Sequence, residues 1–421
     1  MIVRLFALLL MLAMPTGVLA QDADERRLEQ RARDVVAVMR GEMPREEVFT
    51  EAFNQTIPEE QFRSFINQLT AQYGALIAIH EVEPAGPRGA ASIALEFADA
   101  IARGQMQLEA REPWRVAGFR LTDFDPTTKK FALDELAVLP GEAALVFAPL
   151  DGRPAYLSRN ADQPLAIGST FKLYVLSALV RAIERGERDW NDVVTLDVRS
   201  LPSGQMQEWP RGSPVTLHTL ATMMISISDN TATDRLIRTL GRDAVEAELA
   251  LAGHDDPAVT LPFLETRELF LLKSEPQVLE RYRLAGTAER RTILASRAES
   301  EPELQRVEAA FEQGPQAIDV EWLASANNLV RVMDGLHQNA AARAILAVNS
   351  GVSDATAAHW KYIGYKGGSE PGVLNLTWLL SDAVDDWYVL SMSWNDPEAP
   401  VDEGTFLAIA QRVLREYAQD D

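Results

Sequence analysis

The sequence contains no cysteine in 421 residues. That absence excludes a thiol nucleophile, a thiolate metal site and any disulfide staple, so the fold must be held by burial alone. The five histidines (His80, His218, His254, His337 and His359) are scattered and none sits at metal-ligand spacing, so no metal centre is expected. Basic residues are also scarce: 40 Lys and Arg stand against 62 Asp and Glu, a net charge of -22. A nucleic-acid partner needs a basic surface and is excluded, and adsorption to anionic lipid is disfavoured. Beyond the first twenty residues no apolar run is long enough to span a bilayer. Internal repeats and low-complexity segments are missing. So is a Gly-x-Ser-x-Gly elbow, which removes a Ser-His-Asp hydrolase of the α/β type.

What is present is the balance of a folded protein, 47% hydrophobic and 24% charged, long enough for two or three domains. The first twenty residues differ from the rest. Arg4 precedes an unbroken apolar run from Leu5 to Met14, Pro15 and Gly17 break it, and Val18-Leu19-Ala20 supplies small residues for a signal peptidase. The pattern predicts a cleaved export signal, a mature chain starting near Gln21, and a periplasmic or secreted location.

Residues 21–123 read as an α+β unit. Amphipathic helices are expected over Asp24 to Met39 and Glu59 to Tyr73. Strands are expected over Ala75 to Val82, Ala90 to Phe97, Gln105 to Ala110 and Trp114 to Leu121. Residues 124–130, with Pro126 and paired threonines, look like a linker. The remainder, 131–421, opens with a helix at Phe131 to Leu139 and strands at Ala143 to Ala148 and Ala155 to Ser158 around an Asp151-Gly152 turn. A helical block follows to about Gln338. Strands return at Trp360 to Lys366, Gly372 to Leu380 and Trp387 to Trp394, before a terminal helix at Asp402 to Tyr417. Strands from both ends of a segment with helices between them predict an α+β fold, one antiparallel sheet packed against a helical subdomain.

Three short motifs carry chemistry. Ser169-Thr170-Phe171-Lys172 follows Gly168 and opens a run to Ile183 that is apolar almost all round, the signature of a buried helix. Ser169 then sits at a helix N-terminus, where free N–H groups favour developing negative charge. Lys172 lies one turn along the same face. A desolvated lysine there loses its proton more easily and can act as general base. Ser228-Asp229-Asn230 separates two apolar helical stretches. In an extended connector Ser228 and Asn230 project to one side, Ser228 to relay a proton and Asn230 to hold a substrate carbonyl, while Asp229 caps the next helix. Lys366-Gly367-Gly368 ends a strand. Its lysine offers positive charge for a substrate carboxylate and its glycines let a substrate lie against the strand edge. The Ser369 and Ser169 amides are candidate oxyanion donors. Singly, these motifs also read as a helix-start lysine, a plain helix cap and a turn.

Together, and in this order, they resemble the three signature motifs of class A β-lactamases and penicillin-binding proteins. The flanks Ser213-Pro214-Val215-Thr216-Leu217 and Met224 through Asp234 are similar to class A sequence as well. The resemblance covers roughly residues 127–421. It implies a five-stranded antiparallel sheet with a helical subdomain, the site in the cleft between them, and no cofactor. The catalytic set it implies is Ser169, Lys172, Ser228 and Lys366, with Asn230, Gly367, Gly368 and Ser369 binding substrate. The N-terminal unit resembles, by element order alone, the small cone-shaped domains of the nuclear transport factor 2 and ketosteroid isomerase type.

Two departures from the family pattern stand out. The middle place of the third motif usually holds Thr or Ser, whose hydroxyl helps hold the β-lactam carboxylate; here it is Gly367, with Ser369 the alternative hydroxyl. Class A enzymes deacylate through a Glu-x-x-Leu-Asn pattern; here Leu261 to Phe270 offers Glu265 and Glu268 but no following asparagine, and a charged helical insertion runs from about Lys273 to Glu312. Glu265 or Glu268 is either that base or an ion-paired surface carboxylate. The expected activity is acyl transfer from a β-lactam, ester or short amide to Ser169, then hydrolysis. The alternatives are a D-alanyl peptidase or esterase that deacylates slowly, and a non-catalytic binder of cell-wall peptide. The partner in each case is a small-molecule or peptide substrate.

Overall fold

The computed structural model describes residues 16–86, 88–98, 100–126, 131–298, 304–312 and 314–417, and the chain divides into two compact units, 1–129 and 130–421. The apolar run of the expected export signal lies outside the described residues; those from 16 to 20 begin the first helix. Among the described residues no helix is long and apolar enough to cross a membrane.

Unit 1 places four helices, α1 (Thr16–Met39), α2 (Arg45–Val48), α3 (Glu51–Thr56) and α4 (Glu59–Tyr73), before a four-stranded meander. Thr50 caps α3 by accepting from the Phe53 amide at 3.2 Å, which satisfies one of the orphan donors of a helix start. The strands β1 (Leu76–Pro84), β2 (Ala90–Phe97), β3 (Ala100–Leu108) and β4 (Val116–Pro126) pair antiparallel in sequence order. Phe49, Leu95, Phe97 and Val116 centre its core. The segment expected as a linker is shorter at its start, because β4 continues through Pro126. Asp125 pairs with Arg103 at 2.7 Å and Phe124 stacks on Tyr73 at 4.8 Å, contacts that hold it in the sheet.

Unit 2 begins with α5 (Phe131–Ala137), β5 (Glu142–Pro149), β6 (Leu157–Arg159) and β7 (Leu165–Ala166). A short 3₁₀ turn, Gly168–Phe171, leads into α6 (Lys172–Glu184). Then come β8 (Val193–Thr195), β9 (Pro214–Thr216), α7 (Leu217–Ser226), α8 (Asn230–Leu240) and α9 (Arg242–Leu251). α10 (Thr266–Ser274) leads into the expected insertion, which supplies α11 (Pro276–Leu284), α12 (Thr287–Ala295) and α13 (Leu304–Phe311). It is followed by β10 (Leu323–Ala324), α14 (Ala326–His337), α15 (Ala340–Leu346) and α16 (Asp354–Ala357). The chain closes with β11 (Tyr362–Glu370), β12 (Val373–Ser381), β13 (Trp387–Asn395) and α17 (Glu403–Tyr417).

The five-stranded antiparallel sheet runs β11-β12-β13-β5-β6, so strands from both ends of the unit meet between β13 and β5. α5 and α17 cover one face with Phe147, Trp378 and Phe406 buried between. The helical subdomain covers the other, around α6, whose Leu173, Val175, Leu176 and Leu179 are fully buried. A helix apolar on every side can only be placed at such a centre. The Lys366-Gly367-Gly368 motif does not end its strand as the sequence suggested. Pairing with β12 continues to Glu370 opposite Val373, which puts the motif in mid-strand on the sheet's edge.

Candidate active site

α6 and its 3₁₀ lead-in fix the first pair. Ser169 is the second residue of the turn, and Lys172, fully buried, lies with Nζ 3.1 Å from Ser169 Oγ. Two further oxygens hold that nitrogen, the Ser228 carbonyl at 2.7 Å and Asn230 Oδ1 at 2.8 Å, and Ser228 Oγ lies 2.9 Å away. The carbonyl and the amide oxygen can only accept. They take both N–H bonds of a neutral amine, and the lone pair is left for the Ser169 hydroxyl. Burial pulls the Lys172 ammonium well below the usual lysine range, the nearby Lys366 charge adds to this, and Asp234 and Asp229 oppose it.

The Ser228-Asp229-Asn230 segment is not extended. Ser228 adopts φ 58, the left-handed region that a non-glycine residue occupies only when its surroundings insist. Two anchors do so. The Asp229 carboxylate turns away to accept from the Ala232 amide at 2.8 Å, capping α8, and from the Gln205 and Met206 amides at 2.7 and 2.8 Å. The Asn230 amide donates to Ser203 O at 3.0 Å. The twist aims the Ser228 hydroxyl at both lysines: Lys366 Nζ is 3.1 Å from Ser228 Oγ. Lys366 also donates to the Gly367 carbonyl, and burial brings its ammonium down to about 7.

Gly367 and Gly368 have separate reasons to be glycine. A Cβ at 368 would press on the Ile167 carbonyl and the Ser169 amide, with the Thr170 amide 2.6 Å off; a Cβ at Gly168 would stand 3.1 Å from the Ser369 amide. The edge strand and the nucleophile turn therefore touch backbone to backbone, which brings the Ser169 and Ser369 amides to one gap. At 367 a Cβ would fall on the Tyr365 hydroxyl, with ring Cζ 2.7 Å away.

These groups border a cleft of about 620 Å³. Ser169, Ser228, Asn230, Lys366, Gly367, Gly368 and Ser369 all line it, so eight of the ten singled-out residues converge once Lys172 beneath Ser169 is counted. Glu265 and Glu268 do not. They form the reciprocal cap of α10, Glu268 Oε2 accepting from the Glu265 amide at 2.8 Å. Both are ion-paired, Glu265 with Arg238 at 2.7 Å and Glu268 with Arg242 at 2.6 Å. Of the two readings of these residues, the contacts favour the ion-paired one: each carboxylate is held by a helix cap and an arginine, and α10 presents Phe270 to the cleft instead. Sequence reading missed Tyr365, Phe270, Asn349, Glu370 and Glu403 as lining residues. Tyr365 alone had left a signal, standing two residues before Gly367 on a strand, where side chains share a face.

A family model described as the β-lactamase enzyme family matches residues 130–346, just over half of the chain. No curated protein matches. Among solved structures, unit 2 is similar to the candidate class A β-lactamase PenP of Rhodopseudomonas palustris, at 15% identity and TM-score 0.50, covering 69% of this chain and 98% of that one. A β-lactamase from Sphaerobacter thermophilus is 20% identical, with TM-score 0.47, over 68% of this chain and 94% of that one. A protein named PBP-A is 19% identical, with TM-score 0.47, over 69% of this chain and 94% of that one.

Proposed function

Because the chain belongs to the β-lactamase enzyme family of serine hydrolases, we propose that it works by forming an acyl-enzyme at Ser169 with β-lactams or related esters and amides, and that it releases the acyl group slowly. The observation that carries the first half is the placement of Lys172, with both amine hydrogens claimed by pure acceptors and its lone pair 3.1 Å from Ser169 Oγ. Ser169 Oγ bonds to the substrate carbonyl carbon as its proton passes to Lys172 Nζ. The oxyanion is met by the Ser169 and Ser369 amides, an arrangement worth about 10²–10³ in rate per donor. The C–N or C–O bond then breaks, and the leaving atom takes a proton from Ser228 Oγ, which is replenished from Lys172. The second half rests on the pairing of Glu265 and Glu268 with arginines, which leaves neither to aim water at the ester. This favours a penicillin-binding or esterase-like enzyme over one that turns over β-lactams rapidly. Export follows as part of the same proposal, from the apolar run and small residues of the first twenty positions.

Intact-protein mass spectrometry during incubation with a chromogenic cephalosporin tests both halves. The expected result is a stoichiometric burst of colour and an adduct that persists, both absent in Ser169→Ala. Steady colour with no accumulated adduct would overturn slow release. An adduct surviving in Ser169→Ala would overturn the nucleophile.

A further inference from the structure

The third motif lacks a hydroxyl at Gly367, yet the space that residue's side chain would fill is not empty. The Tyr365 hydroxyl stands on the point where a Cβ at 367 would be built. Tyr365 and Gly367 lie two apart on β11 and so share a face of the strand, and the bare glycine lets the longer side chain lean over it. The ring is held from two sides. Gly351, at φ 67, lies so close that a Cβ there would be 2.5 Å from Tyr365 Cδ1. The Trp378 ring packs at 4.9 Å, and Trp378 is itself held by its indole N–H to the Ser350 carbonyl at 2.9 Å. Tyr365 thus needs glycine at both 351 and 367, and the packing determines where the hydroxyl goes.

That hydroxyl borders the cleft and has no hydrogen-bond partner among the described residues. Burial, with the charge of Glu403, raises its pKa, so the phenol keeps its proton and can donate. A polar group held this rigidly and left unpaired in a cleft wall is satisfied only by a ligand or water. Its neighbour in sequence is Lys366, and no arginine is among the lining residues. A neutral O–H donor and one ammonium lining the same cleft suit an oxygen group carrying a single negative charge.

We propose that Tyr365 supplies the substrate-binding hydroxyl of this site in place of a side chain at 367, and that with Lys366 it selects acyl donors bearing a carboxylate next to the scissile bond. The inference rests on acylation at Ser169, and its test separates the two. Second-order labelling rates of Ser169 are measured by mass spectrometry with two probes, a cephalosporin bearing its carboxylate and an uncharged p-nitrophenyl ester. Tyr365→Phe keeps the ring packing and removes only the hydroxyl. Its labelling by the cephalosporin is expected to fall about tenfold or more, the loss of one hydrogen bond to a charged group, while ester labelling stays within about twofold. The double variant Tyr365→Ala with Gly367→Thr returns a hydroxyl to the same place from the backbone position, and is expected to recover cephalosporin labelling. Gly367→Thr alone drives its side chain into Tyr365 and is expected to lose labelling by both probes.

Equal effects of Tyr365→Phe on the two probes, no effect on either, or faster cephalosporin labelling, which would mean that the hydroxyl hinders the substrate, would overturn the proposal. If the double variant is too unstable to assay, the two-probe comparison in Tyr365→Phe decides alone, with the ester as its internal control for folding. Failure of both probes to label the wild-type protein would instead sink the acyl-enzyme reading itself.

Discussion

Lys172 and Lys366 flank one hydroxyl, Ser228 Oγ, at 2.9 and 3.1 Å, and the chemistry requires opposite protonation states of them. Lys172 must be neutral to take the Ser169 proton. Lys366 must be charged to meet an anionic substrate oxygen. Burial lowers both, and the charge of Lys366 lowers Lys172 further, the direction that the required order needs. The sign then follows. Acylation rises with pH as Lys172 loses its proton, and falls again as Lys366 loses its own near pH 7. A bell is expected for the labelling rate with a carboxylate-bearing cephalosporin, its alkaline limb near pH 7. In Lys366→Arg that limb should vanish from the accessible range, because a guanidinium stays charged. A limb that stayed at the same pH in the arginine variant would belong to another group.

At the scale of elements, the site depends on how the edge strand β11 is held against the helical subdomain. Beyond the catalytic motif its last residue, Glu370, is buried against Lys273 of α10, which also bonds Glu321 at 2.7 Å beside β10. Two carboxylates share one ammonium. Burial and the Glu321 charge push the Glu370 carboxyl well above the usual range, although Lys273 pulls against them. Removing the cation leaves two buried carboxylates facing each other. Lys273→Met is therefore expected to destabilise unit 2 by about 3–5 kcal/mol at pH 7. The loss should shrink as pH falls, since the Glu370 carboxyl, raised by burial, can then be neutral; an acid whose folded pKa is raised loses stability as pH rises. Denaturant unfolding followed by tryptophan fluorescence reads this unit almost exclusively, because every tryptophan except Trp114 lies in it. A loss below about 1 kcal/mol at pH 7, the level of an exposed pair, would show that the trio is not a closed buried network.

Across the whole molecule, what the sequence made legible was whatever local pattern could carry. The apolar run after Ser169 marked a buried helix, and Asp229 read correctly as a cap. The strands of the sheet were visible as apolar segments, within a few residues of their ends. What stayed hidden depended on partners far along the chain. Glu265 and Glu268 looked available until Arg238 and Arg242 came across from other helices, and Gly367 looked like a lost hydroxyl until Tyr365, Gly351 and Trp378 were packed together. Net charge is a whole-chain property readable in advance, and it makes a last prediction. At -22 the protein repels an anionic substrate on approach, while Lys366 attracts it once inside. Salt screens the two unequally. At about 0.1 M the Debye length is about 10 Å, so the long-range repulsion fades first and the buried contact persists. Labelling of Ser169 by a carboxylate-bearing cephalosporin should therefore quicken between about 0.01 and 0.1 M salt, with the uncharged ester unaffected. A fall in the cephalosporin rate over that range would mean that local attraction by Lys366 dominates at the cleft mouth, and a flat ratio of the two probes would mean that the cleft does not feel the net charge.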